Sequence, residues 1–318
     1  MITSTSRLLV FGVVLGFLVS PLRASAEEAA PPEVQFKDEP EAHGLYDQMV
    51  ETMRKAESLS YESDYRWESS RSGELGHCTY TVWLKKPNYF RLEAARDDQV
   101  RGILVGDGER LWIHWPNGRP QWGWEYEGER AKEYERTRLI SYMTQQTPVG
   151  RHSIGHQTSR LGAGMSMTII DPSTFHGYTD SLQAYLDGVR SLGTERIGDE
   201  DCEGIEVSFM KHQRSWYLWL SKRDHLPRKL REVVRVSYDI ITHEHWSNVT
   251  INGEIPDEKF AWKPPADWVE FRFPAIEEGL LKAGTEAPDF ELASVDESQV
   301  RLSDFRGKVV WFYLWRAG

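Results

Sequence analysis

The chain has 318 residues, and this length predicts about two domains, since domains usually run to about 100–200 residues. Hydrophobic residues make up 40% and aromatic residues 12% of the sequence, enough for a packed core, which excludes disorder of the whole chain. The formal net charge of −11 argues against nucleic acid as a partner, because phosphate binding requires a clustered positive surface.

Residues 1–26 predict a secretory signal peptide. Arg7 precedes an apolar stretch from Leu8 to Val19, and Ala24-Ser25-Ala26 forms a small-x-small cleavage site. The apolar stretch is shorter than the roughly 20 residues that span a bilayer, which argues against a membrane anchor. We therefore expect an exported protein, periplasmic or otherwise extracytoplasmic, with no membrane span after cleavage.

The mature chain opens with a predicted linker and a predicted helix. Residues 27–40 are acidic and contain several prolines, which is typical of a linker. From about Ala42 to Leu59, apolar residues recur at near four-residue spacing, and these are Leu45, Met49, Met53 and Ala56. This spacing gives the helix one apolar face.

A first series of strands is predicted after this helix. Its segments are short, aromatic or β-branched, and separated by turn residues: YESDYRW, CTYTVWLKKP, YFRLEAA, RGILVGDGERLWIHW and PQWGWEYEG. Gly106-Asp107-Gly108 lies between two apolar runs and predicts a tight hairpin. The series is typical of an antiparallel meander.

Helical patterns return at about 130–144 and 179–192, and a second strand series follows them. Its segments are CEGIEVSFM, SWYLWLSKRD, LPRKLREVVRV and DIITHEHWSNVTI. Strands, a helical interlude and further strands predict an α+β fold with a mostly antiparallel sheet. PDEKFAWKPPADW, with Pro264 and Pro265, closes this unit.

Several of these segments together resemble the LolA-like lipoprotein-carrier superfamily over about residues 41–270. The matching pieces are Lys86-Pro87, Arg91-Leu92, Gly106-Asp107-Gly108, Leu111-Trp112, Tyr217-Leu218-Trp219-Leu220, Leu226-Pro227-Arg228, Phe260 and Pro264-Pro265. The resemblance implies a curved antiparallel half-barrel sheet wrapped over helices, with an apolar cavity for acyl chains. It also implies a lipid or acyl ligand or a protein partner, because the superfamily includes periplasmic sensors of lipid or mislocalised lipoprotein.

Tryptophans are concentrated in the strand regions, and they are candidates for lining such a cavity. The candidates are Trp83, Trp112, Trp115, Trp216 and Trp219, with Trp122 and Trp124 in the same cluster. Aromatic side chains on the concave side of an open sheet are suited to a ligand pocket. The alternative is that they fill an ordinary core.

The two cysteines, Cys78 and Cys202, leave two alternatives open. Export to an oxidising compartment allows one disulfide between them. Nothing in the local sequence brings them together, so two buried, inert thiols are the other interpretation. They do not form a CxxC pair.

No catalytic, cofactor-binding or metal-binding residues are predicted in residues 41–270. His243-Glu244-His245 places two imidazoles on one strand face, but no third ligand is positioned, and solvent-facing polar residues explain the pattern better. His152 and His156 fit a loop better than a zinc site. Nucleophile elbows, HExxH motifs and phosphate-binding glycine loops are not recognisable.

The C-terminal piece, about 285–318 after a linker at 271–284, resembles the start of thioredoxin-like redoxins of the TlpA and AhpC/TSA type. Short strands are predicted after Ala287 and around Val300, followed by a turn and an apolar strand at Val309–Trp315. The residues that match the family pattern are Pro288, Asp289, Phe290, Leu302, Phe305, Gly307, Lys308 and Trp315. The resemblance implies the incomplete N-terminal part of an α/β thioredoxin-like domain.

In that family the matching segment is followed by a cysteine motif whose thiolate attacks a disulfide or a peroxide. The attacking cysteine would fall just after Gly318, so we expect this chain to be inactive at that site. The first hypothesis is therefore a LolA-like module fused to a domain that, in a full-length parent, is a thiol–disulfide oxidoreductase or a peroxiredoxin. The alternative is a non-enzymatic periplasmic carrier of lipid or lipoprotein, or an envelope sensor.

Overall fold

The computed structural model describes residues 36–118, 137–143, 161, 168–178, 182–270, 281–293 and 298–311. One twelve-stranded sheet dominates this part of the chain. Its strands are β1 (Ser58–Ser69), β2 (Gly73–Lys85), β3 (Tyr89–Arg96), β4 (Gln99–Asp107), β5 (Arg110–His114), β6 (Thr137–Met143), β7 (Leu186–Ile197), β8 (Glu200–Phe209), β9 (Arg214–Ser221), β10 (Pro227–Arg235), β11 (Asp239–Ile251) and β12 (Val269–Glu270).

The sheet joins two antiparallel meanders side by side. The strand order is β12-β6-β5-β4-β3-β2-β1-β11-β10-β9-β8-β7, so β1 and β11 form the seam between the two strand series. Every pair is antiparallel except β12 with β6. The predicted α+β fold with a large, mostly antiparallel sheet is confirmed.

Alternation along the strands gives the sheet two chemically different faces. We call the face that carries Tyr61, Tyr80, Leu92, Leu218 and Leu230 the inner face, and all five side chains are buried. The opposite, outer face carries alternate residues such as Trp83, Trp219 and His245.

Helix α1 (Pro40–Lys55) packs its apolar side into the same core as the inner face. Pro40 stands at the first helical position, where its missing N–H costs nothing, and Arg54 and Lys55 lie in the last turn, where cations are favourable. The predicted helix extended to Leu59, but α1 ends at Lys55. Leu59 is buried in β1 instead, because pairing with β2 and β11 recruits the chain from Ser58 onward.

Two predicted helices are wrong where the structure describes them. Within 130–144, residues 137–143 form β6 and pair with β5. Within 179–192, a 3₁₀ turn at Gln183–Tyr185 leads into β7, which pairs with β8. Gly188, together with β-branched Val189, weakens a helix there, and cross-strand pairing supplies the backbone partners instead.

The predicted hairpin between β4 and β5 is confirmed, and Gly108 explains its sharpness. Gly108 has φ +94°, a conformation that costs other residues energy. A side chain at this position would also meet the Tyr89 ring, because an added Cβ would lie 3.3 Å from it. Glycine is therefore required by both the turn and the close packing.

A separate two-stranded sheet lies near the C-terminus, formed by β13 (Glu291–Ala293) and β14 (Gln299–Arg301). A 3₁₀ turn at Leu302–Phe305 follows it. The apolar strand predicted to begin at Val309 is not formed over residues 309–311, where Val309 is 100% and Trp311 90% exposed. Within the described residues no neighbouring strand pairs with this run, and residues 312–318 lie outside them.

Candidate ligand-binding face

The inner face is a continuous apolar surface interrupted by one buried acid. Reading across the sheet through opposite residues, one row runs Ile205, Leu218, Leu230, Glu244, Tyr65 and Cys78. All six residues are buried, and Glu244 is 0% exposed. A carboxyl group in the middle of such a row requires a specific set of partners.

Residues 168–178, which we call the cover segment, supply one of these partners. Ile169, Ile170 and Phe175 of this segment are buried against the inner face and α1. The Asp171 carboxylate accepts a hydrogen bond from Ser173 N at 2.9 Å, immediately before a short helix, α2 (Ser173–His176). Gly177 ends it with φ 73°, the usual left-handed cap.

The far end of the cover segment is attached to the turn between β2 and β3. Lys86 Nζ donates to Phe175 O at 2.6 Å and lies 4.7 Å from the Phe175 ring centroid. His176 Nε2 donates to Tyr89 O at 3.1 Å, and the Tyr178 hydroxyl donates to Asn88 Oδ1 at 2.7 Å. These contacts of Phe175, His176 and Tyr178 fix this end of the segment.

The near end is attached through Glu244. Its Oε1 accepts a hydrogen bond from Ile169 N at 2.5 Å, while Oε2 accepts from Trp246 Nε1 at 2.9 Å and from Ser63 Oγ at 3.3 Å. Burial raises the pKa of Glu244 to about 7, against the lowering effect of these three donors and with a further rise from the neighbouring Glu232. Burial outweighs hydrogen bonding here, so the neutral carboxyl is the form that suits the closed structure.

Glu232, on the adjacent strand, is a second buried acid with a different set of partners. It accepts a hydrogen bond from Trp216 Nε1 at 2.8 Å and lies 3.3 Å from Arg214 Nε. Burial raises its pKa, and Arg214 and Trp216 oppose the rise. Glu232 is therefore a matched carboxyl for comparison with Glu244.

A small gap remains where α1, the cover segment and β9 meet. It is lined by Tyr46, Met49, Val50, Arg54, Ile170, Thr174, Gln183 and Trp216. Its volume of about 10 Å³ leaves room for about one water molecule. Thr174 Oγ1 is buried at this gap without a hydrogen-bond partner, and so is Thr168 Oγ1 at the start of the cover segment.

A larger groove lies elsewhere, at the turns β2–β3 and β4–β5. It has a volume of about 680 Å³ and apolar walls formed by Pro87, Tyr89, Phe260 and Trp262. Its rim carries the carboxylates of Asp107, Glu109 and Asp257 and the ammonium group of Lys263. The acidic rim disfavours a ligand with an anionic head group.

The five candidate tryptophans do not lie on one surface. Trp216 lines the inner gap, and buried Trp115 donates to Leu161 O at 3.0 Å. The remaining three belong to the outer face. Lys259 lies over Trp83, Lys229 lies over Trp219, and Trp112 packs edge-on against Trp262. Trp122 and Trp124 lie outside the described residues.

The two cysteines are free thiols and both are buried. Cys78 is on β2 and Cys202 on β8, which are separated by β1, β11, β10 and β9 in the sheet. Four intervening strands separate the two thiols along the sheet, so neither strand is a neighbour of the other. The disulfide alternative is therefore corrected in favour of two buried thiols.

His243 and His245 lie on the outer face, and Glu244, between them, lies on the inner face. His243 Nε2 is 3.7 Å from the Glu68 carboxylate. Throughout the described ranges no three His, Cys, Asp or Glu side chains are grouped to hold a metal ion. His152 and His156 lie outside those ranges. The same alternation that exposes the histidines buries Glu244, which the sequence interpretation did not single out.

The residues of the redoxin-like pattern form a local turn structure. Asp289 Oδ1 accepts from Ser303 N at 2.9 Å, and Phe290 O accepts from Leu302 N at 3.1 Å. Gly307 has φ 79°, and Lys308 Nζ lies 5.7 Å from the Phe305 ring centroid. Pro288 is exposed, and Trp315 lies outside the described residues.

Together these features define a protein with a large antiparallel sheet whose apolar inner face is covered by a helix and a short segment. The model of a family described as "Predicted periplasmic protein (DUF2092)" matches residues 128–273. This description confirms the predicted periplasmic or extracytoplasmic location. Comparison with curated proteins gives no match. Among the described residues, no helix has the length and apolar character to cross a membrane.

Three of the solved structures that match this chain show the extent of the similarity. A crystal structure of MucB matches with 13% identity and a TM-score of 0.40, over 72% of this chain and 64% of that chain, so this chain spans less than two thirds of MucB. A LolA superfamily protein from Nitrosomonas europaea matches with 12% identity and a TM-score of 0.32, over 70% and 97%. The lipoprotein LppX from Mycobacterium tuberculosis matches with 9% identity and a TM-score of 0.38, over 69% and 99%.

Proposed function

We propose that this chain is a non-enzymatic periplasmic binding protein of the LolA-like kind, a carrier of lipid or lipoprotein or an envelope sensor. Its ligand would be an acyl chain held between the inner face and the cover segment. Export, the periplasmic family description and the sequence resemblance over 41–270 support the class. The continuous apolar surface of the inner face supports an acyl chain as the ligand.

The observation that carries this proposal is how the cover segment is attached. Polar contacts fix its two ends, at Ile169 and at Phe175–Tyr178, while its middle lies over the gap beside Trp216. Displacing the middle would uncover apolar surface that is continuous along the sheet. Met49 on α1 lines the same gap, and methionine adapts readily to irregular apolar partners.

The energetics of an acyl chain suit this site. Each buried methylene contributes about 0.8 kcal/mol, so a long chain offsets the packing lost when the cover segment moves. Opening also gives Thr174 Oγ1, which has no partner in the closed structure, access to water or to a ligand head group.

Native mass spectrometry of the mature chain, with uptake of a fluorescent fatty acid, tests the proposal. We expect bound lipid or saturable uptake. Trp216→Ala enlarges the inner gap and should increase uptake, whereas Trp219→Ala, on the same strand but the outer face, should leave uptake unchanged. An apo mass with no uptake by any of the three proteins would refute the proposal.

A second candidate function comes from the C-terminal piece. We propose that residues 285–318 begin a thioredoxin-like domain, because the two short strands and the turn predicted from the redoxin pattern are formed at 291–301 and 302–308. Reading the coding sequence past Gly318 tests this. A CxxC within the next few codons would support it, and a stop codon or a continuation without cysteine would exclude it.

A further inference from the structure

We infer that Glu244 is a proton-controlled latch: its neutral carboxyl holds the start of the cover segment on the inner face, and loss of the proton releases it. The consequence for ligand entry rests on the proposed function. The latch itself does not rest on the proposed function, because it can be measured with no ligand added.

The geometry places Glu244 where a latch has to be. Its Oε1 takes the backbone N–H of Ile169, a residue 75 positions away in sequence, and this bond joins the cover segment to β11. Its Oε2 is shared by Trp246 on β11 and Ser63 on β1. The carboxyl thus bonds to the sheet through one oxygen and to the cover segment through the other.

The surroundings of Glu244 disfavour its negative charge. Tyr65 on β1 and Leu230 on β10 lie directly opposite it, and both are buried. The charged groups that act on this region are Glu232 on β10 and Asp171 in the cover segment, both acidic. The Arg214 guanidinium lies 3.3 Å from the Glu232 carboxylate, and Arg54 of α1 lines the gap beside Ile170.

Two further hydroxyls face the same space, those of Tyr61 on β1 and Tyr80 on β2, and both remain neutral. Burial raises the pKa of each well above its ordinary value, and Glu244 raises it further. They therefore supply no charge to balance an ionised Glu244. Three donors are offered to the carboxyl, and among the described residues no ion pair joins it to a cation.

Opening of the cover segment would reverse this balance, because water would reach the carboxyl and return its pKa toward the ordinary value of 4.5. The closed form therefore binds more protons than the open form between about pH 4.5 and 7, and raising the pH through this range favours opening. The two pKa values limit the effect to about 300-fold in the opening equilibrium. Acid would retain a ligand and neutral pH would admit or release one.

Hydrogen exchange of the full mature chain, without ligand, tests the latch. After correction for the intrinsic pH dependence of exchange, amides at 169–171 should lose protection between about pH 5 and pH 8 by a factor of ten or more. Amides of β3 should not change. If protection at 169–171 is independent of pH in the wild-type protein, the latch is excluded.

Variants separate Glu244 from other titrating groups. Glu244→Gln should abolish the pH dependence at 169–171. Glu232→Gln, which removes a buried acid bonded to Trp216, should retain it with the transition moved to lower pH, because Glu232 raises the pKa of Glu244. Ser63→Ala removes one donor to Oε2, is expected to fold, and should move the transition to higher pH. An unshifted transition in Ser63→Ala, or a dependence that survives in Glu244→Gln, would overturn the assignment.

Failure of the latch and failure of the proposed function give different results. A protein that binds fatty acid but shows no pH-dependent exchange at 169–171 keeps the function and loses the latch. A protein that shows the exchange behaviour but takes up no acyl chain keeps the latch and loses the function.

Discussion

Tyr61 and Trp246 stack face to face on the inner face, with ring centroids 3.9 Å apart and planes inclined by 14°. The same Trp246 indole donates its N–H to Glu244. Stacking therefore fixes the orientation of a donor, and the donor fixes the orientation of the carboxyl that holds Ile169. An aromatic pair on β1 and β11 thus determines where the cover segment begins.

Glu244→Gln should change how stability depends on pH. The carboxyl holds its proton more tightly in the folded protein, with a pKa of about 7 against 4.5, so the folded state binds more protons between these values. Stability from this group is therefore present below about pH 4.5 and is lost as the pH rises to about 7. The loss at pH 8 is on the order of 3 kcal/mol.

Urea unfolding at about pH 5 and pH 8 measures this effect. On going from pH 5 to pH 8, the wild-type protein should lose more unfolding free energy than Glu244→Gln does. Buried histidines contribute equally to both proteins and cancel in the comparison. An identical pH dependence in the two proteins would show that Glu244 is not the titrating group.

His114→Phe should stabilise the protein, most clearly in acid. The buried His114 ring stacks on Trp262 at 4.1 Å, and neither ring nitrogen has a hydrogen-bond partner. Burial, assisted by Arg91, lowers its pKa to about 4 from 6.5, so stability is present above about pH 6.5 and is lost as the pH falls toward 4. Phenylalanine keeps the stacking and removes both the unsatisfied atoms and the titration.

Thermal unfolding at about pH 5 should show a gain of about 1–3 kcal/mol for His114→Phe. His176→Phe is the control, because His176 is also buried but has only one unsatisfied nitrogen, Nδ1, while its Nε2 donates to Tyr89 O, a bond that phenylalanine cannot make. We expect His176→Phe to gain less or to lose stability. Equal gains for the two variants would contradict the role assigned to the unsatisfied nitrogens.

The strands and the site differed in how far the sequence predicted them. Segments such as YFRLEAA and CEGIEVSFM carry alternation and flanking turns, and they became β3 and β8. The segments at 137–143 and 186–197 carry weaker local patterns, and pairing with β5 and β8 decided their structure. Local signals identify a strand when the alternation and the flanking turn residues are both strong.

The site depends on contacts that local patterns do not contain. Glu244 stands between two histidines, and a solvent-facing interpretation of that triplet is correct for the histidines alone. The sequence did contain one indication of its burial. Glu244 and the apolar Trp246 are two residues apart on one strand, so their side chains lie on the same face. Its partner Ile169 is 75 residues away, so the bond between them follows from tertiary structure.

Gly108→Ala and Gly44→Ala should have opposite effects. Gly108 has φ 94° and packs against Tyr89, so alanine there should cost about 1–2 kcal/mol of unfolding free energy. Gly44 lies in α1 with no atom within 4 Å of an added Cβ, so alanine there should add about 1 kcal/mol. Chemical denaturation of both variants tests this, and a stabilising Gly108→Ala would show that the hairpin geometry is wrong.

The most direct test of the account is to locate a bound acyl chain. A photoreactive fatty acid is incubated with the mature chain, activated and mapped by mass spectrometry of the peptides. We predict labels on α1, the cover segment or β9, at residues such as Met49, Ile170 and Trp216, which line the inner gap. Labels confined to the acidic groove around Tyr89 and Trp262, or no specific label, would contradict a ligand site on the inner face.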